Sequence, residues 1–266
     1  MSHYWRLINE GPGNPAWNMA VDEALAREQD EGCPPTLRLY TWTPPALSFG
    51  HCQKIDGVRF DELRRLGIMP VRRMTGGRVV LHLGDLSYSI TAPSTARIPA
   101  DVSESYRYIC RGLLAAFSIL GINAGIGSEQ SIRGARDKRF ALSTDADIVF
   151  NGRKFVGSSQ KRIGSSFLQH GSIPLRPQTE ILCRIFENGE ERNEEILSSE
   201  ITCLEDILGR PIDLEEVALA VIEGFTHALK AELLPDCLTD NEEKIAHELS
   251  DRYRWISHEG ELSKNQ

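Results

Sequence analysis

The sequence has six cysteines but no Cys-x-x-Cys pair: Cys33, Cys52, Cys110, Cys183, Cys203 and Cys237 are scattered along it. That spacing suggests neither a zinc ligand set nor a disulfide framework. The seven histidines show no ligand spacing either, so no metal is expected. No apolar run approaches the ~20 residues that cross a bilayer, and Met1 to Arg6 lacks the apolar core of a signal peptide. The expectation is a cytoplasmic chain without a membrane role. Positive charge is also scarce: 30 basic residues face 38 acidic ones, for a net charge of −8. This argues against sequence-independent binding of nucleic acid or attachment to an anionic membrane. No internal repeat is visible. The 266 residues, 41% of them hydrophobic, are enough to bury one large core.

Against the acidic background one stretch stands out, Arg72-Arg73-Met74-Thr75-Gly76-Gly77-Arg78-Val79-Val80-Leu81-His82. It places three guanidinium groups and two adjacent glycines in a turn that leads into an apolar strand. Consecutive glycines let the backbone approach a ligand and aim N–H groups at it, and arginines add bidentate forks. The pattern predicts an anion site.

Local signals order the rest. Trp5 to Ile8 reads as a first strand, and Asn14-Pro15 as an N-cap with proline at the first helical position. The helix that follows buries Trp17, Ala20, Val21, Ala24 and Leu25. Residues 36–42 and 46–50 read as strands separated by Pro44-Pro45, and residues 61–66 as a short helix stopped by Gly67. Leu86 to Ile90 is a further strand. The clearest helix spans 104–121, and the polar, glycine-bearing residues 122–138 read as a surface loop. Asn151-Gly152 between two apolar runs is a hairpin signal, and 166–173 continues as a strand. Acidic helices follow at 180–186, 215–229 and 242–253. Strands and helices mixed without βαβ alternation predict an α+β domain on a mixed, mostly antiparallel sheet.

A second cluster follows the hairpin turn: Asn151-Gly152-Arg153-Lys154-Phe155-Val156-Gly157-Ser158-Ser159-Gln160. A lysine there is held by the sheet and can set its ammonium against a phosphate or carbonyl oxygen.

Three blocks now carry a resemblance: Arg72 to His82, Asn151 to Gln160, and Gln169-His170-Gly171-Ser172. Together with Asn18-Met19-Ala20-x-Asp22-Glu23-Ala24 and Ser48-x-Gly50-x-x-Gln53, they resemble the lipoate-protein ligase and octanoyltransferase group of the biotin/lipoate ligase superfamily. The resemblance implies a central mixed sheet flanked by helices over residues 1–230, with 231–266 as a helical C-terminal extension. It implies transfer of a lipoyl or octanoyl group to a lysine of a lipoyl carrier domain, in a dehydrogenase complex or a glycine cleavage H-type protein. Lys154 would be the catalytic residue, contacting the acyl carbonyl and the phosphate. Arg72, Arg73, Thr75, Gly76, Gly77, Arg78, Val79, Val80, Leu81 and His82 would bind the acyl-adenylate, together with Gly157, Ser158, Gln160 and His170. His82 and His170 would support the site rather than react.

The branch of the group turns on one cysteine. The Thr75-Gly76-Gly77-Arg78 form is most similar to octanoyltransferases that hold the acyl group on a cysteine just before the hairpin. Here that segment has none: position 139 is arginine, and no cysteine lies between Cys110 and Cys183. A guanidinium cannot serve as the nucleophile, and Ser143 and Thr144 have no base evident in the sequence. Cys52 beside His51 is the other thiol considered, but neighbours on a strand face opposite ways. The expectation is therefore a ligase that uses ATP and Mg to activate lipoate or octanoate as the adenylate, which needs no covalent nucleophile. Arg78 in place of a third glycine and Leu83 in place of an aspartate depart from the ligase pattern, and an accessory subunit or an acyl carrier protein is a further expected partner. The alternatives are an octanoyltransferase lacking the usual loop cysteine, a biotin ligase, and a non-catalytic acyl-carrier binding protein.

Overall fold

A computed structural model describes residues 4–29, 33–94, 96, 98–127, 147–187 and 193–254. The first half runs β1 (Tyr4–Gly13), α1 (Pro15–Arg27), β2 (Thr36–Trp42), β3 (Ala46–Phe49), α2 (Phe60–Leu66), β4 (Met69–Arg72), β5 (Val80–His82), β6 (Asp85–Pro93) and α3 (Val102–Ile119). The second half runs β7 (Gly125–Ile126), β8 (Ile148–Phe150), β9 (Arg153–Ile163), β10 (Ser166–Pro174), α4 (Thr179–Ile185), α5 (Glu194–Glu200), α6 (Leu204–Leu208), α7 (Leu214–Leu229), β11 (Glu232–Pro235) and α8 (Asp240–Tyr253). Eight strands form one sheet in the order β11-β1-β2-β6-β10-β9-β8-β7, and β4-β3-β5 form a second, smaller one. β1 is parallel to both β11 and β2, and the other pairs of the large sheet are antiparallel, so the mixed α+β expectation holds.

Register decides which side chains reach the site. Arg38 on β2 stands opposite Ser89 on β6, Ser89 opposite His170 on β10, and His170 opposite Ser159 on β9. Side chains alternate across a sheet, so these four share one face. Their neighbours Leu37, Leu39, Tyr88, Ile90 and Phe167 go to the other face, into an apolar core with α3 and α7. Those helices cross closely: a Cβ on Gly224 would stand 2.4 Å from the Ala116 nitrogen. The polar face is covered by α1, whose other side packs on α8 through Ala20, Val21, Ala24, Leu25, Ala246 and Leu249. No helix among the described residues is long and apolar enough to cross a membrane.

The local signals hold at most termini. Asn14 accepts from Ala16 as N-cap with Pro15 beginning α1, and Gly67 ends α2 in the left-handed region. Asn151 and Gly152 both have positive φ (49° and 77°), as a two-residue hairpin with the sheet's twist requires. Three features differ from expectation. β1 extends to Gly13, through an irregularity between Asn9 and Pro12 that the Gly-Pro-Gly sequence disguises. Residues 125–126 of the expected loop form β7, and its residues 128–138, like Arg139, Ser143 and Thr144 beyond it, lie outside the described residues. The C-terminal extension contributes a strand as well as a helix: β11 pairs with β1, and Arg6 reaches Asp236 and Glu242 at 2.6 Å each. A four-residue, largely exposed edge strand carries no alternation to read, and only its partner identifies it.

Candidate active site

The arginine-glycine turn links β4 to β5, and its first two arginines are held by the protein's own carbonyls. Arg72 Nη1 donates to the carbonyls of Gly50, His51 and Gln53. Arg73 Nη1 donates to Ser48 O (3.0 Å) and Oγ (3.1 Å), and its Nη2 to the carbonyls of Gly76 and Arg78. Through these bonds Arg72 and Arg73 shape the turn, while Arg78 reaches the smaller cavity. Burial, with the neighbouring Arg72 charge, pulls the Arg73 guanidinium down to about 10. Gly50 is required by the packing, since a Cβ there would lie 2.0 Å from the Gly77 carbonyl oxygen. Gly77 has φ +88°, and both Gly76 and Gly77 are exposed. Val79 and Leu81 point into the apolar cluster beneath the small sheet, while Arg78, Val80 and His82 reach a cavity.

Two cavities meet beside this turn. One, of about 210 Å³, is walled by Met19, Trp42, Arg78, Ser159 and His170 among others. The other, of about 560 Å³, has Arg153, Arg176, Glu194 and Asp206 in its wall. Val80, Lys154, Gly157 and Ser172 belong to both. Lys154 Nζ lies 3.4 Å from the buried carboxylate of Asp147. The strand holds this lysine from both ends: its carbonyl accepts from Thr202 N at 2.9 Å, and Gly157 leaves room for its stem, since a Cβ there would meet Lys154 Cε at 3.2 Å.

The polar face of the large sheet supplies one member of each of two buried histidine–carboxylate pairs, His170 and Asp85, whose partners Asp22 and His82 come from α1 and from β5 of the small sheet. His170 Nδ1 is 2.9 Å from Asp22 Oδ2, and its Nε2 is 2.6 Å from Thr75 Oγ1. Ser159 Oγ donates in turn to Thr75 Oγ1 at 2.8 Å. Asp22 also accepts from Arg38 Nη1 (2.8 Å) and Tyr40 OH (3.0 Å). Burial alone would push the Asp22 carboxyl up, but the His170 hydrogen bond and the Arg38 charge outweigh it and hold it below the usual value. Burial pulls His170 down, against the opposing effect of Asp22, so its imidazole is neutral near pH 7. In the second pair His82 Nδ1 lies 2.8 Å from Asp85 Oδ2 and Nε2 2.9 Å from Ser48 Oγ, with the Trp42 ring stacked on the imidazole at 4.0 Å. Ser172 and Ser87 donate to the same Asp85 oxygen at 2.6 and 3.2 Å.

Residues 14–226 match the family model of the lipoyl protein ligase A/B catalytic domain. The chain belongs to this family. Among its relatives in the lipoyl ligase family, octanoyltransferase LipM of Geobacillus kaustophilus is 38% identical over 260 residues, covering 92% of this chain and 94% of the relative. Octanoyltransferase LipM of Brevibacillus brevis is 36% identical over 274 residues, covering 98% and 99%. Among solved structures, a lipoate-protein ligase A bound with ATP superposes with TM-score 0.79 at 26% identity over 93% of this chain and 94% of its own. The bipartite lipoate protein ligase of Thermoplasma acidophilum gives 0.78 at 25%, over 93% and 92%.

The geometry gathers Arg73, Arg78, Val80, His82, Lys154, Gly157, Ser158 and His170 around the smaller cavity of this lipoyl ligase family member. Two expected site side chains bond away from the turn. Ser158 Oγ bonds Tyr88 OH at 2.7 Å, and Gln160 Nε2 donates to Gln169 Oε1 and Ser105 Oγ, on the α3 side. Their strand parity is opposite to that of Gly157 and Ser159. Asp22, Ser48, Asp85 and Ser159 join the site without a sequence signal of their own for that role. Asp22 and Ser48 lie in blocks that carried the resemblance, but the pairing of Ser159 with His170 appears only with the register. Of the thiols, Cys203 lies in the wall of the larger cavity, and burial pushes it up to about 12; Cys110, under the sheet, is pushed up to about 12 as well. Neither is a thiolate near pH 7.

Proposed function

We propose that this chain transfers an octanoyl group from a thioester on an acyl carrier to the ε-amine of a lysine on a lipoyl domain. The observation that carries the reading is Lys154 at the junction of the two cavities. An acyl chain fits the smaller cavity against Met19, Trp42 and Val80, and the carrier and acceptor approach through the larger one with its charged rim. The lysine nitrogen attacks the acyl carbon, the C–N bond forms, the C–S bond breaks, and the carrier thiol leaves. The Lys154 ammonium donates to the oxyanion that develops on the acyl oxygen. The names of relatives 36–38% identical over nearly the whole chain favour the thioester donor over an adenylate. Because the sequence has no cysteine from 111 to 182, and burial keeps Cys203 in the cavity wall from being a thiolate, the amine attacks the donor directly.

A second reading keeps the same site and acceptor but takes lipoate or octanoate with Mg-ATP, the adenylate phosphate leaving in place of the thiol. The likeness to a lipoate-protein ligase A bound with ATP favours it, as do the glycine turn and Arg78 beside the cavity. The test is the intact mass of an apo lipoyl domain after incubation with the enzyme. An octanoyl mass gain from the octanoyl carrier without ATP is expected. A gain only with lipoate and Mg-ATP would replace the first reading by the second. Lys154→Ala should slow either transfer by about 10²- to 10³-fold.

A further inference from the structure

We infer that Ser159 is the cavity-facing end of a proton relay, Ser159–Thr75–His170–Asp22, that accepts a proton from the acceptor lysine's ammonium and so frees its amine to attack the acyl carbon. The inference rests on the acyl-transfer reading of the site but is indifferent to whether a thiol or an adenylate phosphate leaves.

The relay has one direction. An ionised Asp22 can only accept, so His170 Nδ1 carries the hydrogen of the 2.9 Å contact, and the neutral ring leaves Nε2 with a lone pair. Thr75 Oγ1, 2.6 Å away, must donate to that lone pair, and its own free lone pair accepts from Ser159 at 2.8 Å. Every group is fixed by a different element: α1, β10, the glycine turn and β9. Thr75 is fully buried and cannot touch a substrate. Ser159 is half-buried and lies in the wall of the cavity that Lys154 also walls. A lysine enters the site as an ammonium and its product amide carries no charge, so the reaction needs a base that the oxyanion-stabilising Lys154 cannot be. Before the C–N bond forms, an ammonium proton of the acceptor passes to Ser159 Oγ, the Ser159 proton to Thr75, and the Thr75 proton to His170 Nε2, which leaves the amine free to attack. Asp22 stabilises the resulting imidazolium. As the C–N bond forms and the C–S bond breaks, the second nitrogen proton goes to the departing sulfur, or to solvent where a phosphate leaves, and the His170 proton returns along the relay to solvent, which restores the starting state.

The charged and titratable groups around His170 are Asp22 from α1, Arg38 and Tyr40 from β2 behind it, Arg73 from the turn, and His82 from β5. Arg73 and His82 oppose a positive charge on the ring and Asp22 favours it, so the imidazolium is a transient proton holder rather than a resting state.

The experiment measures single-turnover transfer at saturating acceptor from pH 6 to 10, with the wild type, Thr75→Val, Ser159→Ala and Ser159→Thr. Thr75→Val keeps the shape of the side chain and deletes the central hydroxyl. The expected result is a loss in the single-turnover rate of about 10²-fold at pH 7 for Thr75→Val and Ser159→Ala. That loss should shrink as pH rises toward the ordinary lysine value, where the amine arrives already deprotonated. Ser159→Thr, which restores the hydroxyl, should recover most of the rate. A loss that is the same at every pH would mark a packing defect and overturn the relay. Wild-type rates in Thr75→Val would overturn the relay and leave the transfer reading intact. No transfer by the wild type from either donor would overturn both.

Discussion

Each of the two histidine–carboxylate pairs has one member on the polar face of the large sheet, His170 or Asp85, and they differ in what surrounds the carboxylate and where the hydrogen bonds end. Asp22 faces a fully buried guanidinium, Arg38, and its histidine continues through Thr75 to a hydroxyl at the cavity. Asp85 gathers a histidine and two serines onto one oxygen, and the chain through His82 ends on Ser48, whose hydroxyl also accepts from Arg73. The first pair holds a charge and leads outward; the second ties β3, β5, β6 and β10 together. The same residue types therefore do different work according to the partner behind them.

The largest expected effect separates the two on stability. Asp22→Ala leaves Arg38 buried with only Glu10 and the Asn18 oxygens as partners, and strips acceptors from Tyr40 and His170. Removing one partner of a buried ion pair costs about 3–5 kcal/mol. Asp85→Ala removes an acceptor from three groups, none of them a permanently charged guanidinium, and should cost about 1–3 kcal/mol. Urea unfolding of both variants checks this. Equal losses would show that the Arg38 charge is not what distinguishes the pairs.

A smaller effect lies in pH. The folded His170 holds a proton less readily than the usual imidazole. As pH falls through the unfolded value near 6.5, the unfolded chain gains a proton that the folded one refuses, so stability falls on acidification, by up to about 1.4 kcal/mol per pH unit. Asp22 adds a loss of the same sign only at lower pH: its folded pKa is depressed, so its contribution is present above the unfolded carboxylate value near 3.9 and disappears below it. His170→Gln should flatten the slope between pH 7.5 and 5.5 in urea midpoints. An unchanged slope would show that His170 titrates alike in both states.

What could be read in advance follows the range of the signal. α1, α3 and the Asn151-Gly152 hairpin are set by caps, stripes and turn chemistry within a few residues, and they appear where the sequence places them. The arginine turn was legible as a special place, but the bonds that hold it together were not. Charge beside glycine suggests an anion, whereas the carbonyls at residues 48, 50, 51 and 53 that take up Arg72 and Arg73 have no sequence signature. The Asp22–His170 contact spans 148 positions, and Ser159 joins it only because β9 and β10 pair in one register. A shift of one residue would have turned the side chains of Ser158 and Gln160, rather than that of Ser159, toward Thr75.

The smallest expected effect uses that register to compare two hydroxyls on the same face. Ser172 Oγ is buried and donates to Asp85 at 2.6 Å, so Ser172→Ala leaves a buried carboxylate one donor short and should cost about 0.5–1.5 kcal/mol. Ser159 is half-buried, and its hydroxyl donates to Thr75, which retains His170 as a partner when Ser159 is cut back to alanine. Water in the cavity can take the vacated position, so Ser159→Ala should cost less stability than Ser172→Ala, about 0.5 kcal/mol or below. Thermal unfolding of the two variants under one condition measures the order. A larger loss in Ser159→Ala would mean that this hydroxyl holds the turn against β9, and its role would then be one of support rather than proton transfer.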